Sequence, residues 1–417
     1  MRAATSRREG LTAVRLAILT QYYPPEIGAP QARLSQLAAR FVERGHEVFV
    51  LTAMPSYPLG RVYPGYGGIW RREVLGGVTI IRSFIFPTKS AGLVPRLANY
   101  FSFVMSSLLV GSLTLPKVDY LLTESPPLFL GITGYVLSRL KRARWIFNVS
   151  DLWPESAVRL GIVREGWPLR VAQRLEAFCY RKAWLVTGQS RGILDDIFGR
   201  FPGLRTFHLT NGVDTEVFGP HRRAETQRRV LGPEGSCVAL YAGLHGLAQG
   251  LEQILEAADL LRNEAGLQFV LLGDGPDKEK LLAEARRRGL SNMRFLDPRR
   301  FDEMPGILAS ADVLLVTLKK HIPGAVPSKI YEAMGTGRPV VLAASGEAAE
   351  IVDRHQAGIV VEPGDAAALS RAVKALLDAP DLRCRLGENA RRAAETHYDR
   401  RAIAARFIDH LETGLRP

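Results

Sequence analysis

The feature that most constrains this chain is its opening succession: Arg15-Leu-Ala-Ile-Leu-Thr20, a Pro-rich loop, an amphipathic stretch from Gln31 to Arg44, then Gly45-His-Glu-Val-Phe-Val-Leu-Thr52. A buried-strand run, a loop, a helix-periodic segment, a glycine and a second strand within roughly 35 residues make a βαβ unit. Such a crossover forces parallel pairing, and parallel sheets gather ligands at the carboxyl ends of their strands. The first loop, Gln21 to Pro30, is therefore a site candidate in which Gly28 would let backbone approach a ligand, although a Pro-rich turn needs no ligand to explain it. The alternation continues through strand-like runs at Val118–Thr123, Arg144–Ser150, Ala183–Ser190 and Phe207–Asp214. It restarts at Val238–Gly243, Phe269–Pro276, Asn292–Leu296, Asp312–Val316 and Gly358–Glu362, which makes the fold class α/β.

A chain of 417 residues that is 47% hydrophobic is too long for one core, so two domains are expected. Asn211-Gly212 is a turn signal, and the polar, basic stretch 219–235 after it reads as a linker. The domains then run 15–218 and 236–399, with an amphipathic closing helix, 400–417, able to pack back onto the first. The basic start, 1–14, reads as a disordered tail: a strand follows at once and no small-residue cleavage site precedes it. Residues 57–70, rich in Gly, Pro and Tyr, read as a long mobile loop over the cleft mouth.

Three scattered cysteines, Cys179, Cys237 and Cys384, give neither a disulfide framework nor a metal cluster and favour a reducing compartment. The excess of 55 Lys+Arg over 42 Asp+Glu, +13 net, favours anionic partners without choosing among nucleotides, acidic membranes and nucleic acid. No Gly-x-Gly-x-x-Gly follows a strand, the P-loop spacing is missing, and no His, Cys or carboxylate cluster has metal-ligand spacing.

Four stretches carry candidate chemistry. In Val326-Pro-Ser-Lys-Ile-Tyr-Glu-Ala-Met-Gly-Thr-Gly-Arg-Pro-Val-Val341, Pro327 and Ser328 start a short helix, with Ser328 a plausible N-cap, and Pro339 opens a buried strand. The helix start suits a diphosphate, Lys329 adds a cation, and Glu332 has the reach to accept from a ribose diol; ordinary capping accounts for the same residue types. Asp151 and Glu155, in Asp151-Leu-Trp-Pro-Glu155 just past a strand end, are either catalytic or helix-capping carboxylates. From Leu97 to Leu115 no residue is charged, while Arg96 and Lys117 flank the run. That length approaches a membrane span, but Asn99 and several Ser and Thr residues favour an interfacial helix over a span or an ordinary buried helix.

As an ordered set, Tyr22-Tyr-Pro-Pro-Glu-Ile-Gly28, Ser150-Asp-Leu-Trp-Pro-Glu-Ser156, Thr210-Asn-Gly-Val-Asp-Thr-Glu-Val-Phe218, Leu272-Gly-Asp-Gly-Pro276 and Pro327-Ser-Lys-Ile-Tyr-Glu-Ala-Met334 span nearly the whole chain. The set resembles the retaining glycosyltransferases of the GT-B fold, family four, and more closely the fucosamine-transferase-like subgroup that builds bacterial surface polysaccharides on lipid carriers. The resemblance implies two Rossmann-like domains facing a cleft, a nucleoside diphosphate sugar held by the second, and a lipid-linked saccharide acceptor by the first. It implies a metal-independent, retaining transfer with UDP-sugar as the expected donor, on the inner face of the plasma membrane, with no nucleic-acid partner. It makes Ser328, Lys329 and Glu332 donor ligands, with Gly243, Gly273, Asp274 and Gly275 lining the base pocket and Ser345, Gly346 and Glu347 the sugar side. Two departures stand out. Gly324 occupies the place of the family's first glutamate, leaving Glu347 as its substitute, and Gln249 stands where a lysine is usual. A nucleotide-sugar epimerase of the same fold and a non-catalytic, membrane-attached polyanion-binding protein remain as rival readings.

Overall fold

The computed structural model describes residues 13–90, 92–155, 158, 166–321 and 324–415. In the first half the strands are β1 (Arg15–Leu19), β2 (Glu47–Ala53), β3 (Trp70–Leu75), β4 (Val78–Ser83), β5 (Tyr120–Ser125), β6 (Arg144–Val149), β7 (Leu185–Gly188) and β8 (Thr206–His208). Between them lie helices α1 (Ala29–Glu43), α2 (Leu93–Thr114), α3 (Leu130–Lys141), α4 (Trp167–Lys182) and α5 (Arg191–Arg200). The strands form an eight-stranded sheet in the order β3-β4-β2-β1-β5-β6-β7-β8, parallel except for β3, which pairs antiparallel with β4.

The second half holds β9 (Cys237–Ala242), β10 (Leu267–Leu272), β11 (Met293–Leu296), β12 (Val313–Thr317), β13 (Val340–Ala343) and β14 (Gly358–Val361). Its helices are α6 (Glu225–Leu231), α7 (Glu252–Leu260), α8 (Lys278–Arg288), α9 (Met304–Ser310), α10 (Ser328–Gly335), α11 (Glu347–Arg354), α12 (Ala366–Asp378) and α13 (Pro380–His397), and α14 (Arg400–Leu415) ends the described chain. These six strands pair in parallel in the order β11-β10-β9-β12-β13-β14. The fold is thus α/β, with two Rossmann-like parallel sheets. Strands such as β5 and β10 are buried at every position because helices cover both faces.

Strand order locates the crevices. β1 lies between β2 and β5, and β9 between β10 and β12, so each sheet has its topological switch point beyond the carboxyl end of its first strand. Those ends lead into Thr20–Tyr22 and into Gly243.

The domain boundary differs from the sequence expectation. Val213, Phe218 and Leu231 belong to the core of the second domain, and residues 220–231 form a 3-10 turn and α6 against it, so 219–235 is not a linker. The chain crosses between Leu209, in the first core, and Val213, in the second. It crosses back beside that point: the Val213 nitrogen donates to the Tyr398 carbonyl (2.8 Å) and the Arg400 nitrogen to the Val213 carbonyl (2.9 Å). α14 then packs on the first domain through Ile403, Phe407 and Leu411. Residues 1–12 of the basic tail and Ser156 lie outside the described residues, whereas Val14 is buried, so an unstructured tail cannot extend to residue 14.

The apolar stretch expected at 97–115 begins earlier, at Leu93, and is one helix of 22 residues. One face, with Phe103, Val104, Ser107 and Val110, is buried in the first domain. The opposite face leaves Phe101 (41%), Met105 (65%), Leu109 (60%) and Leu113 (78%) exposed, a stripe at every fourth residue. Asn99 helps to dock the helix: its amide nitrogen donates to the Phe86 carbonyl (2.7 Å) and its oxygen accepts from Gln21 (2.9 Å). Residues 57–69 hold no helix or strand; the Tyr63 nitrogen donates to the Pro55 carbonyl and the Tyr63 hydroxyl to the Tyr57 carbonyl (2.6 Å).

Candidate active site between the two sheets

Beyond β9 and β10 the backbone crowds so closely that only glycine fits at two positions. Gly273 has φ 146° and Gly243 φ 143°; a Cβ on the first would strike the Gly243 carbonyl, and on the second the end of the Lys329 side chain. Gly275 packs in the same way against the His245 backbone, while Asp274 is exposed and accepts from the Gly275 nitrogen (2.9 Å). Lys329 thus lies flat against the end of β9. Its ammonium donates to the Tyr241 hydroxyl (2.6 Å) and stands 4.0 Å from that ring's centroid.

Burial brings the Lys329 pKa down to about 8, with Glu332 opposing the shift. Lys329 makes no ion pair among the described residues, and a half-buried ammonium in that state gains most from an anionic ligand. Glu332, nearly one turn on, has its pKa raised by burial against the pull of Arg400 and Lys329. The N-cap of α10 is Pro327 and no side chain caps the helix, so Ser328 is its first residue and not its cap. Its leading N–H groups and positive dipole end therefore face the same place as Lys329.

His245 belongs to this group, and nothing in its spacing marks it in the sequence beyond its place in the Gly243–Gly250 loop. It is fully buried, and among the described residues its ring nitrogens make no well-formed hydrogen bond, only a weak contact with the Leu272 backbone. Burial, with Lys278 and Lys329 nearby, takes its pKa to about 4, so the ring is neutral. Its backbone nitrogen donates to the Asp274 carbonyl (2.8 Å), tying the two glycine loops together.

Past β13, Ser345 shares a hydrogen bond with His321 Nδ1 (2.9 Å), and Gly346, with φ 72°, stands at the N-cap of α11. Glu347 is engaged elsewhere than expected. Its carboxylate accepts from the backbone nitrogens of Arg191 (2.9 Å) and Gly192 (2.7 Å), capping α5 of the opposite domain. The Ser190 hydroxyl donates to the Gly324 carbonyl (2.6 Å) beside it. A Cβ on Gly192 would lie 3.2 Å from the Gly324 Cα, and one on Gly324, φ 70°, would lie 2.7 Å from Ile193 Cγ1. Glycine at 324 permits this backbone-to-backbone approach. Glu347, expected on the sugar side, has both carboxylate oxygens bound to the facing helix in this conformation.

The first domain contributes a 250 Å³ cavity at the carboxyl ends of its central strands, lined by Tyr22, Glu124, Ser150, Asp151 and Gln189 among others. Asp151 opens into it; Glu155 is not part of its lining. Ala29 and Pro30 at the start of α1 are on its rim, which puts Gly28 at the edge, in an extended conformation (φ 170°) open to any residue. The floor is a buried polar network. Arg33 donates to Glu124 (2.6 Å), both side chains being about 5% exposed, and Asn148 donates to the other Glu124 oxygen (2.7 Å). Gln189, with its amide oxygen toward Arg33, accepts from both terminal nitrogens (2.9 and 3.0 Å). A glutamate inside the otherwise uncharged strand Tyr120-Leu-Leu-Thr-Glu-Ser125 is the sequence signal for this network, since charges are rarely buried unless paired.

The two halves meet. Thr210 shares a hydrogen bond with Tyr331 of α10 (3.1 Å), and Arg400 donates to the Asn211 carbonyl (2.9 Å) and to Gln36 (3.0 Å) while its charge acts on Glu332. The Lys329–Glu332 group and the Asp151 cavity therefore border one cleft. Among the described residues no group of three or more His, Cys, Asp or Glu is placed to hold a metal ion.

Residues 28–206 match the family model for a glycosyl transferase 4-like domain, and residues 223–393 that for glycosyl transferases group 1. The chain is 27% identical over 408 residues to WcaI of Escherichia coli strain K12, named as a colanic acid biosynthesis glycosyl transferase, covering 93% of this chain and 97% of WcaI. Its fold matches the sucrose-phosphate synthase of Thermosynechococcus elongatus with a TM-score of 0.75 at 18% identity, over 96% and 98% of the two chains. It also matches Anabaena Alr3699/HepE, solved in complex with UDP-glucose, with a TM-score of 0.71 at 19% identity, over 96% and 100% of the chains. The two halves of the chain therefore match the glycosyl transferase 4-like and glycosyl transferases group 1 domain models in turn, and with its two Rossmann-like sheets the chain is a glycosyltransferase of GT-B architecture.

Proposed function

We propose that this glycosyltransferase moves a sugar, expected to be an N-acetylated amino or deoxyamino sugar, from a UDP-sugar to a lipid-linked saccharide in bacterial surface polysaccharide synthesis. The observation that carries the reading is Lys329: a half-buried ammonium with no ion pair among the described residues, at the uncapped start of α10 and packed against Tyr241 and Gly243 beyond β9. Similarity to WcaI supports the polysaccharide setting, and the UDP-glucose complex of HepE supports the donor class.

The donor's diphosphate rests on the α10 amino end against Lys329, Glu332 accepts from the ribose hydroxyls, and the Gly273–Gly275 loop covers the base. The bond from the anomeric carbon to the diphosphate oxygen breaks as the acceptor hydroxyl oxygen bonds to that carbon. Charge grows on the leaving diphosphate, where Lys329 and the helix N–H groups stabilise it without a metal ion. Retention follows when the acceptor attacks from the face the diphosphate leaves, the acceptor proton passing to the departing oxygen. Asp151 contacts the sugar or acceptor in the transition state.

The exposed stripe of α2, with Arg96 before it and Lys117 after, suits a helix lying in a bilayer interface, which would make the protein peripheral on the inner face of the plasma membrane. The test is transfer of labelled sugar from UDP-sugars into a bacterial lipid extract. Transfer should be abolished in Lys329→Ala and Glu332→Ala; normal turnover in both would refute the site, and a free epimer formed from donor alone would favour an epimerase.

A further inference from the structure

At the opposite edge of the C-terminal sheet, before the amino end of β13, is an open cavity of 450 Å³. Gly337, Arg338 and Pro339 form one wall, and Arg383, Cys384 and Arg392 of α13 form another. The cleft lies past the other end of the same strand, so the two sites share no residue.

The lining is basic. Arg338, Arg383, Arg391 and Arg392 face only two acids, Glu388 and Glu395. Arg391 is fully used within the fold: it donates to the Thr215, Phe218 and Gly335 carbonyls and pairs with Glu395 (2.7 Å). Arg383 donates to the Leu376 carbonyl (2.7 Å), and Arg392 is exposed. Arg338 differs, because its Nε is buried without a hydrogen-bond partner and it makes no ion pair among the described residues. Burial opposes its charge, and so do Arg223 and Arg383, while Asp312 compensates in part. Asp312 is already engaged by Arg228 (3.5 Å) and the Val238 nitrogen (2.9 Å). A guanidinium keeps its proton even when buried, so this only partly compensated charge favours an incoming anion.

We propose that this cavity binds a phosphate-bearing small molecule, its phosphate held by Arg338 with Arg383 and Arg392 alongside. Three guanidinium groups exceed what one carboxylate can pair, whereas a phosphate dianion offers enough acceptor oxygens. The volume admits a phosphate with a small organic group, and Glu388 and Glu395 in the wall repel a polyanionic polymer.

Cys384 supplies a local readout: it is exposed in the cavity wall, while Cys179 and Cys237 are buried. Alkylation of Cys384 in the full-length protein by neutral iodoacetamide, followed by peptide mass spectrometry, should slow about tenfold with inorganic phosphate or glycerol 3-phosphate at about ten times the dissociation constant. Tighter protection by glycerol 3-phosphate would identify an organic phosphate as the ligand class, and equal protection the free ion. Protection should be lost in Arg338→Gln, reduced in the exposed-site variant Arg392→Gln, and kept in Lys329→Ala, whose change lies in the cleft. No protection by either phosphate, equal slowing by chloride at matched ionic strength, or unchanged protection in both arginine variants would overturn the proposal.

Discussion

Lys329 has its pKa near 8 because its ammonium is packed against Tyr241 and Gly243 rather than in water, and a diphosphate bound beside it would raise that value. Below about pH 7 the free protein already carries the charge, so donor affinity should be flat there. Above pH 8 the free protein must take up a proton on binding, and UDP affinity should fall by up to about tenfold per pH unit. Calorimetric titration of UDP from pH 6.5 to 9.5 reads this directly, and Lys329→Arg, charged throughout, should flatten the profile. Asp151 separates from Glu155 by the cavity it lines. Asp151→Asn should lower kcat on the order of a hundredfold with UDP affinity unchanged, while Glu155→Gln should stay closer to wild type in both. Lys329 was legible as a candidate because it sits in a local motif, a helix start before a buried strand. Arg33, Glu124 and Gln189 were not, because their network joins a helix, a strand and a loop that only the folded sheet brings together.

α2 has two apolar faces with different fates: Phe103, Val104 and Val110 fill the first domain's core, and Met105, Leu109 and Leu113 face outward. A helix that buries one side against a sheet cannot span a bilayer without abandoning that core, so the membrane contact proposed for α2 would be interfacial. Met105→Glu with Leu113→Glu should leave the melting temperature near wild type and reduce sedimentation with anionic vesicles several-fold, and so should neutralising Arg96 and Lys117. Unchanged sedimentation in both variants would separate α2 from the membrane. Composition alone hid this two-sidedness, since a run without charges looks the same whether one face or both are buried. The β3–β4 hairpin did carry a signal: Trp70–Leu75 and Val78–Ser83 flank Gly76-Gly77, whose positive φ values of 56° and 82° suit a tight hairpin turn. The stretch 219–235 misleads for the opposite reason, because a short, mostly exposed helix has the polarity of a linker while Leu231, at 0% exposure, and the buried Arg228 anchor its inner side.

The two domains are joined by chain crossings that hydrogen-bond to each other at Val213, Tyr398 and Arg400, a narrow join that leaves the cleft to be held shut by contacts at its far side. Those contacts are Glu347 on the start of α5 and Ser190 on Gly324. Carboxylate acceptance from helix-terminal N–H groups is charge-assisted, and losing two such bonds, with their donors re-solvated on opening, costs on the order of 1 to 3 kcal/mol. Glu347→Ala should therefore shift the free protein toward an open form by about tenfold or more, seen as a larger radius of gyration in solution scattering, with UDP partly restoring the compact form through contacts to both domains. Ser190→Ala should act in the same direction more weakly, since its bond is between neutral groups. Had Glu347 served as a sugar ligand alone, its removal would raise KM for the intact donor, leave UDP binding untouched and leave the scattering of the free protein unchanged. On the proposed donor placement, a sugar that draws Glu347 at the start of α11 toward itself must release α5, so sugar recognition and domain opening would compete for one carboxylate. The scattering difference between UDP and UDP-sugar complexes, present in wild type and absent in Glu347→Ala, is the measurement that isolates that competition.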